Sequence, residues 1–382
     1  MYKPLRQTAL VLLVLFGYAH RTLAEQNSID WRLNESVEMV KVGSGIWSND
    51  LETTIFKPPG DGPFPLVVIN HGKAFGDPRF DPRARFVAAS REFLKMGYVV
   101  ALPMRPGFSK STGSYVDNKC NIRAEGLVQA DAVEKFIEVF KKKPFVDPKN
   151  ILVAGQSHGG LTVMALSTTQ MDGVKGVLNF AGGLRKQSTG MNHCNWQQTM
   201  VEAFASYGRD AKIPSLWFYG DNDSYWGPEL PKELYEAYRN GSGDAQLISF
   251  GVYPYGDAHK MFGDAKGVPI WLEPTRAFMK KVGLPTAFAY TLAAYPRPAK
   301  TNYAAIDDAS ALPYVPASKR DAYQKFLKAP SPRAFAVSSD GHYGWATEGS
   351  EPLATAVLNC EKHTNLGCKL YAVDDEVVWS AD

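Results

Sequence analysis

Residues 151–160 read ILVAGQSHGG, and within them Gly155-Gln156-Ser157-His158-Gly159 sets a serine between two glycines. The tract before is apolar and the tract after, LTVMALSTTQ, suits a helix, so Ser157 is expected on a sharp strand-to-helix turn. Such a turn strains the serine backbone and leaves no room for side chains at Gly155 and Gly159. At a helix N-terminus the free amides of His158 and its successors favour developing negative charge. The chemistry on offer is attack of the Ser157 hydroxyl on a carbonyl. A phosphate-binding loop is the structural rival, but the segment lacks both G-x-x-x-x-G-K-[ST] and the full G-x-G-x-x-G spacing.

A hydroxyl is a poor nucleophile until a base takes its proton, and the base needs an orienting acid. Of the seven histidines, His20 lies in the N-terminal segment, and His342 and His363 lie near the C-terminus. His71 ends an early strand, and His158 follows the serine with its side chain pointing elsewhere. His259, in YPYGDAHKMF on the loop after the last strand, is the expected base. His193, beside Cys194, is expected to be a pocket wall or a surface residue. SLWFYGDNDSYW offers two acids: Asp223 is expected to reach the histidine, Asp221 to form the turn, and Asp257 is a weaker rival. In INHGKAFGD, Gly72 permits a tight turn that aims the backbone amide of Lys73, not its ammonium, at the point faced by the amide of His158. Tyr225, Trp226, His193 and Trp196 lie beyond strand ends and could line a substrate pocket or equally cover a core.

Elements to carry these residues recur along the chain. Two strands, VEMVKV and LETTIFKPPG, open it without a helix between them, which suggests an antiparallel edge. PLVVINHG, YVVALPMRPG, ILVAG, VKGVLNFAGG, PSLWFYGD and QLISFGVYP then read as strands. The helical stretches are RARFVAASREFLKMG, AEGLVQADAVEKFIEVFKKK, the tract after Ser157, ELPKELYEAYRNG and WLEPTRAFMKKVG. Strands apolar on both faces, alternating with amphipathic helices, imply a mostly parallel sheet covered on both sides, with ligands bound beyond the carboxyl ends of its strands. After residue 285 the texture changes. Residues 286–329 read as a wrapping linker, and 330–382 as a small α+β appendage with a hairpin at Asp340-Gly341 and a closing strand pair.

The N-terminus, MYKPLRQTALVLLVLFGYAHRTLAEQ, reads as a secretory signal peptide cut near Ala24, its apolar run too short to span a membrane. Residues 25–285 are then the catalytic domain. The chain has 42 cations and 39 anions; the leader holds Lys3, Arg6 and Arg21 and no acid, leaving 39 of each. A neutral balance supplies no long-range attraction to nucleic acid or anionic lipid. Four cysteines in an exported chain allow two disulfides in three connectivities. Cys360 and Cys368 flank a short loop that a local bridge could close, leaving Cys120–Cys194 as the long-range pair. Cys360, His363 and Cys368 cluster, but no fourth ligand follows at a zinc-like spacing, and neither a metal nor an organic cofactor is expected.

HGK, MRPGFSKSTG, GQSHGG, GDND and GDAHKMF, in that order over roughly residues 50–285, resemble the α/β-hydrolase superfamily and, within it, the dienelactone hydrolase-like group of secreted bacterial proteins. The resemblance implies an eight-stranded sheet and hydrolysis of an ester or related acyl bond through an acyl-enzyme. It carries over Ser157, Asp223 and His259 as a triad, with Lys73 and His158 as oxyanion amides. Dienelactone hydrolases proper use cysteine where this chain has Ser157, which counts against a dienelactone as substrate. The appendage lies outside the resemblance and is similar to small cysteine-containing modules of other exported bacterial proteins. The expected partner is a small acyl ester. A prolyl-oligopeptidase-like peptidase shares the chain order, and an exported binding protein on a hydrolase scaffold is the reading from another class.

Overall fold

A computed structural model of the chain describes residues 29–186, 194–347, 351–364 and 366–381. They divide into a large unit, Leu33–Leu292, and a smaller one made of residues up to Arg32 together with Ala293–Asp382. The expected signal peptide and His193 lie outside the described residues.

In the large unit eight strands form one sheet: β1 (Glu35–Val42), β2 (Asn49–Phe56), β3 (Phe64–Asn70), β4 (Val99–Pro103), β5 (Val146–Gln156), β6 (Val174–Phe180), β7 (Ser215–Tyr219) and β8 (Ala245–Ser249). Their order is β1-β2-β4-β3-β5-β6-β7-β8. β2 pairs antiparallel with both β1 and β4, and every pairing from β4 to β8 is parallel. The helices of this unit are α1 (Val87–Lys95), α2 (Ile122–Phe140), α3 (His158–Leu166), α4 (Trp196–Asp210), α5 (Leu230–Asn240) and α6 (Val268–Lys281).

Period-two alternation explains why both faces are apolar. Leu66, Val68, Ile151, Val153 and Trp217 point to the side covered by α2, α3, α4 and α5. Val67, Ile69, Leu152, Leu178 and Phe218 point to the side covered by α1 and α6. Burial of each such side chain contributes about 1.5–3 kcal/mol, so both layers hold the strand ends in place. Helix α4 is absent from the sequence reading, which passes directly from β6 to β7. Parallel neighbours need a crossover, and Met200, Ala203, Phe204 and Tyr207 supply its buried stripe at helical spacing.

The smaller unit holds a four-stranded antiparallel sheet, β10-β9-β11-β12, formed by β9 (Arg333–Ser338), β10 (Tyr343–Thr347), β11 (Cys368–Val373) and β12 (Glu376–Val377). The β9–β10 hairpin turns at Asp340-Gly341, with Gly341 at φ 83°. Helices α7 (Asp321–Lys328) and α8 (Pro352–Glu361) pack on this sheet, and Cys360 is bonded to Cys368. The segment expected as a linker, 286–329, does more than connect. Its Leu312, Val315, Tyr323 and Phe326 are buried in this unit's core with Phe335 and Tyr371, because a four-stranded sheet alone cannot cover its own apolar face.

Candidate active site

Ser157 caps α3 at the end of β5 with φ 57° and ψ −121°, a conformation that costs a non-glycine residue of order 1–3 kcal/mol. Backbone bonds hold it there. Its N–H donates to Phe180 O at 3.0 Å, and its carbonyl accepts from Leu161 and Gly183 N–H, both at 3.1 Å. The flanking glycines are required by close approach. A Cβ on Gly155 would stand 2.0 Å from the Gly159 oxygen, and one on Gly159 would stand 2.1 Å from the Asn70 oxygen. Gly72 is also closely approached. Its φ lies outside the left-handed region, and a Cβ there would lie 3.1 Å from Gln156 Oε1 and 3.3 Å from the Ser157 Cβ, tighter than usual contact. The loop after β3 therefore runs against the serine.

The Lys73 ammonium folds back onto its own loop, donating to Ala74 O and Gly76 O at 3.1 Å each, above the ring of Tyr115. His158, at the first position of α3, keeps a backbone N–H that no preceding helical turn can satisfy. Its side chain is buried.

Asp223 and His259 come together across 36 residues of sequence. His259 Nδ1–H donates to both carboxylate oxygens of Asp223, at 3.0 Å to Oδ2 and 3.1 Å to Oδ1. A carboxylate can only accept, so Nδ1 carries a proton, and in the neutral ring Nε2 is then the acceptor. Both residues are buried. Asp223 Oδ1 also accepts the amides of Tyr225 (2.8 Å) and Trp226 (3.2 Å), fixing the carboxylate on the loop after β7. Asp221 is exposed on the turn. Asp257, the rival acid, turns away from the imidazole, to backbone amides and the Ser224 side chain. It accepts from His259 N–H (3.0 Å) and from the Ser224 hydroxyl (2.6 Å), and these bonds hold its carboxyl below the usual range against the opposing effect of burial. Among the described hydrogen bonds none joins the Ser157 hydroxyl to the imidazole; the link between the two segments is Gln156 Nε2, which donates to the carbonyl of His259 at 2.7 Å.

The aromatic candidates separate by role. Tyr225 stacks on the His259 ring with centroids 4.3 Å apart, and Trp226 meets its edge at 5.7 Å. Trp226 is buried and its indole N–H donates to Ala181 O at 2.7 Å, which makes it a wall that fixes the imidazole. Half-buried Trp196 packs against Trp226 beneath the Arg185 guanidinium. Exposed Phe75, absent from the sequence reading, lies nearly parallel to Tyr225. Asn222 was also missed. Its side chain bonds Tyr253 N and O and Gly256 O, tying the loop of His259 to the loop of Asp223, and its one sequence signal is a polar residue between two acids. Cys120 is bonded to Cys194, joining the segments that lead into α2 and α4.

Around the His158 side chain lies a buried polar cluster whose histidines the sequence reading considered one by one, without bringing them together. Arg105 and Glu125 are fully buried, and His158 and His71 nearly so. Burial, helped by the Arg105 charge, pushes the His71 imidazole well below its usual value, and burial carries His158 down to about 4. Burial alone would raise Glu125, but His158, the Tyr115 hydroxyl and the Asn118 amide outweigh it and bring the carboxyl down to about 2. Both imidazoles are therefore neutral at neutral pH. No group of three or more potential metal ligands occurs among the described residues.

No protein-family model matches the chain, and no curated protein does. Solved structures do. A propionate-bound esterase from the planctomycete Thermogutta terrifontis is 17% identical, with 68% of this chain and 98% of that chain covered at a TM-score of 0.49. A dienelactone hydrolase from Klebsiella pneumoniae is 14% identical over 65% of this chain and 98% of its own, at 0.44. Dipeptidyl peptidase 4 of Porphyromonas gingivalis is 16% identical over 64% of this chain and 35% of its own, at 0.48. The chain has the α/β-hydrolase fold, visible in its own strand order and in the serine turn after β5.

Proposed function

We propose that this chain is an exported serine hydrolase that cleaves carboxylic esters of small molecules through an acyl-serine intermediate. The observation that carries the reading is the Asp223–His259 pair at 3.0 Å, on loops that follow β7 and β8, tied through Gln156 to a strained serine at the head of α3. Ser157 Oγ attacks the ester carbonyl while its proton passes to His259 Nε2. Asp223 keeps the imidazole in the required tautomer and stabilises the imidazolium. The amides of Lys73 and His158 receive the oxyanion, each such donor being worth about 10²–10³ in rate. The imidazolium then protonates the leaving alkoxide. Water, deprotonated by the same nitrogen, attacks the acyl-serine and releases the acid, restoring the hydroxyl.

Export is supported by the two disulfides, which persist in oxidising compartments, together with the leader-like N-terminus. No described helix is long and apolar enough to cross a membrane.

The test is labelling with a fluorophosphonate probe, followed by turnover of acyl esters of varied chain length and aromatic content, with a peptide amide alongside. Labelling lost in Ser157→Ala together with ester turnover supports the reading. Ester turnover that survives Ser157→Ala overturns it, and preferred cleavage of the amide moves it to a peptidase.

A further inference from the structure

The sheet order sets a geometric problem at the serine. The two amides of the proposed oxyanion hole hang from different strands, Lys73 after β3 and His158 after β5, so their separation depends on groups that tie the two loops together. On the far side of β3 lies β4, so the order is β4-β3-β5 and the three strands run parallel. Their carboxyl ends therefore lie side by side. A group starting from β4 must cross about two strand spacings, roughly 10 Å, to reach the loop after β5.

Arg105, two residues past the end of β4, makes that crossing. Its backbone N–H donates to His71 Nε2 at 3.2 Å, and His71 Nδ1–H donates to Gly72 O at 2.7 Å, so the carbonyl of the peptide leading into Lys73 is held by an imidazole that the Arg105 backbone itself holds. Its guanidinium Nη2 donates to His158 Nδ1 at 3.2 Å. The remaining ring nitrogen of His158, which must then carry the proton, faces Glu125 Oε1 at 3.5 Å, a dipole-to-charge approach without hydrogen-bond geometry. Glu125 is itself anchored by the Asn118 amide (2.7 Å) and the Tyr115 hydroxyl, with Lys186 Nζ at 3.4 Å. Gln129 Oε1 accepts from Arg105 Nε at 3.0 Å and sets the guanidinium plane. The Phe108 ring packs against both His71 and the guanidinium.

We infer that Arg105 is the positioning residue of the oxyanion hole, fixing through His71 and His158 the spacing of the Lys73 and His158 amides. The inference rests on the functional reading above. Stability does not call for such a group. Buried ion clusters are often replaced by apolar side chains without loss, and Arg105 leaves its Nη1 without a partner among the described residues. A lysine would not serve, because one fork must meet Gln129 and His158 at once.

The experiment uses the full chain and the best ester from the panel. In Arg105→Gln, kcat should fall about 10–100-fold with KM within about twofold, since an amide displaced by a fraction of an ångström is felt in the transition state and not in ground-state binding. Affinity for a trifluoromethyl ketone, which forms a tetrahedral oxyanion on the serine, should fall by the same factor, while affinity for the product acid should not change. Active-site titration normalises kcat to folded protein. If Arg105→Gln does not fold, Gln129→Met keeps the cation but removes the Nε acceptor and should lose kcat several-fold. An unchanged kcat per titrated site in either folded variant, or a loss confined to KM, overturns the inference while leaving the hydrolase intact. Failure of the unaltered chain to label at Ser157 overturns the functional reading and this inference with it.

Discussion

Substituting Gly159 by alanine should damage catalysis more than stability. The new Cβ would lie 2.1 Å from the Asn70 oxygen and 2.7 Å from the His71 oxygen, both backbone atoms at the end of β3. No side chain can swing away to make room, so the head of α3 or the end of β3 must move by about 1 Å to regain ordinary contact. Overpacking of that kind costs about 1–3 kcal/mol, but alanine regains up to about 1 kcal/mol in helix propensity at this position of α3, so the net loss of stability should be about 0–2 kcal/mol. The same displacement falls between the Ser157 turn and the loop that carries Lys73, where a misplacement of about 1 Å can cost on the order of 10²-fold in rate. Urea unfolding gives the first quantity, and the fluorophosphonate labelling rate with kcat gives the second. Gly367→Ala, with open space around its Cβ and an ordinary φ, is the control and should stay within about 0.5 kcal/mol. A Gly159→Ala protein that labels and turns over at the unaltered rate would refute the packing argument.

Asp223→Asn keeps the shape but lets the amide donate, favouring the wrong imidazole tautomer; kcat should fall about 10⁴-fold with the melting temperature little changed, as steady-state kinetics and a thermal melt would reveal. Stability should fall on acidification through the window from about 6.5 to about 4. The unfolded chain protonates its histidines near 6.5 while buried His158 resists until about 4, so protons favour unfolding there by roughly 3 kcal/mol for this residue, and urea midpoints that are equal at pH 7 and 4.5 would contradict it. Replacing Cys120 and Cys194 together by alanine opens a loop of 74 residues and should cost about 4 kcal/mol in the chain-entropy description, seen as a lower urea midpoint than that of the unaltered oxidised protein.

The sequence determined what could be read from local chemistry. Alternating strands and helices implied a parallel sheet. Glycines around Ser157 implied a tight elbow, and residues at strand ends marked where chemistry should be sought. Features whose meaning lies in contact it could order but not settle. Asp223 was preferred over Asp257 from its place after a strand, although Asp257 stands two residues from His259, and the fold turns the Asp223 carboxylate onto the imidazole and that of Asp257 onto the His259 amide and the Ser224 hydroxyl. Helix α4 was hidden by a strand-first reading of a segment whose buried stripe has clear helical spacing. The glycine at position 72 suggested a turn, and the fold adds that its missing side chain lets a loop run close to Ser157. Arg105 stood in the sequence only inside the motif MRPGFSKSTG, with no role of its own: a cation after a strand looks solvated until three parallel strands are laid side by side. The reason is physical. Period and turn propensity are set by neighbours in the chain, but the value of a buried charge or a shared hydrogen bond depends on partners drawn from β3, β4, α2 and α3, and those meet only when the sheet closes.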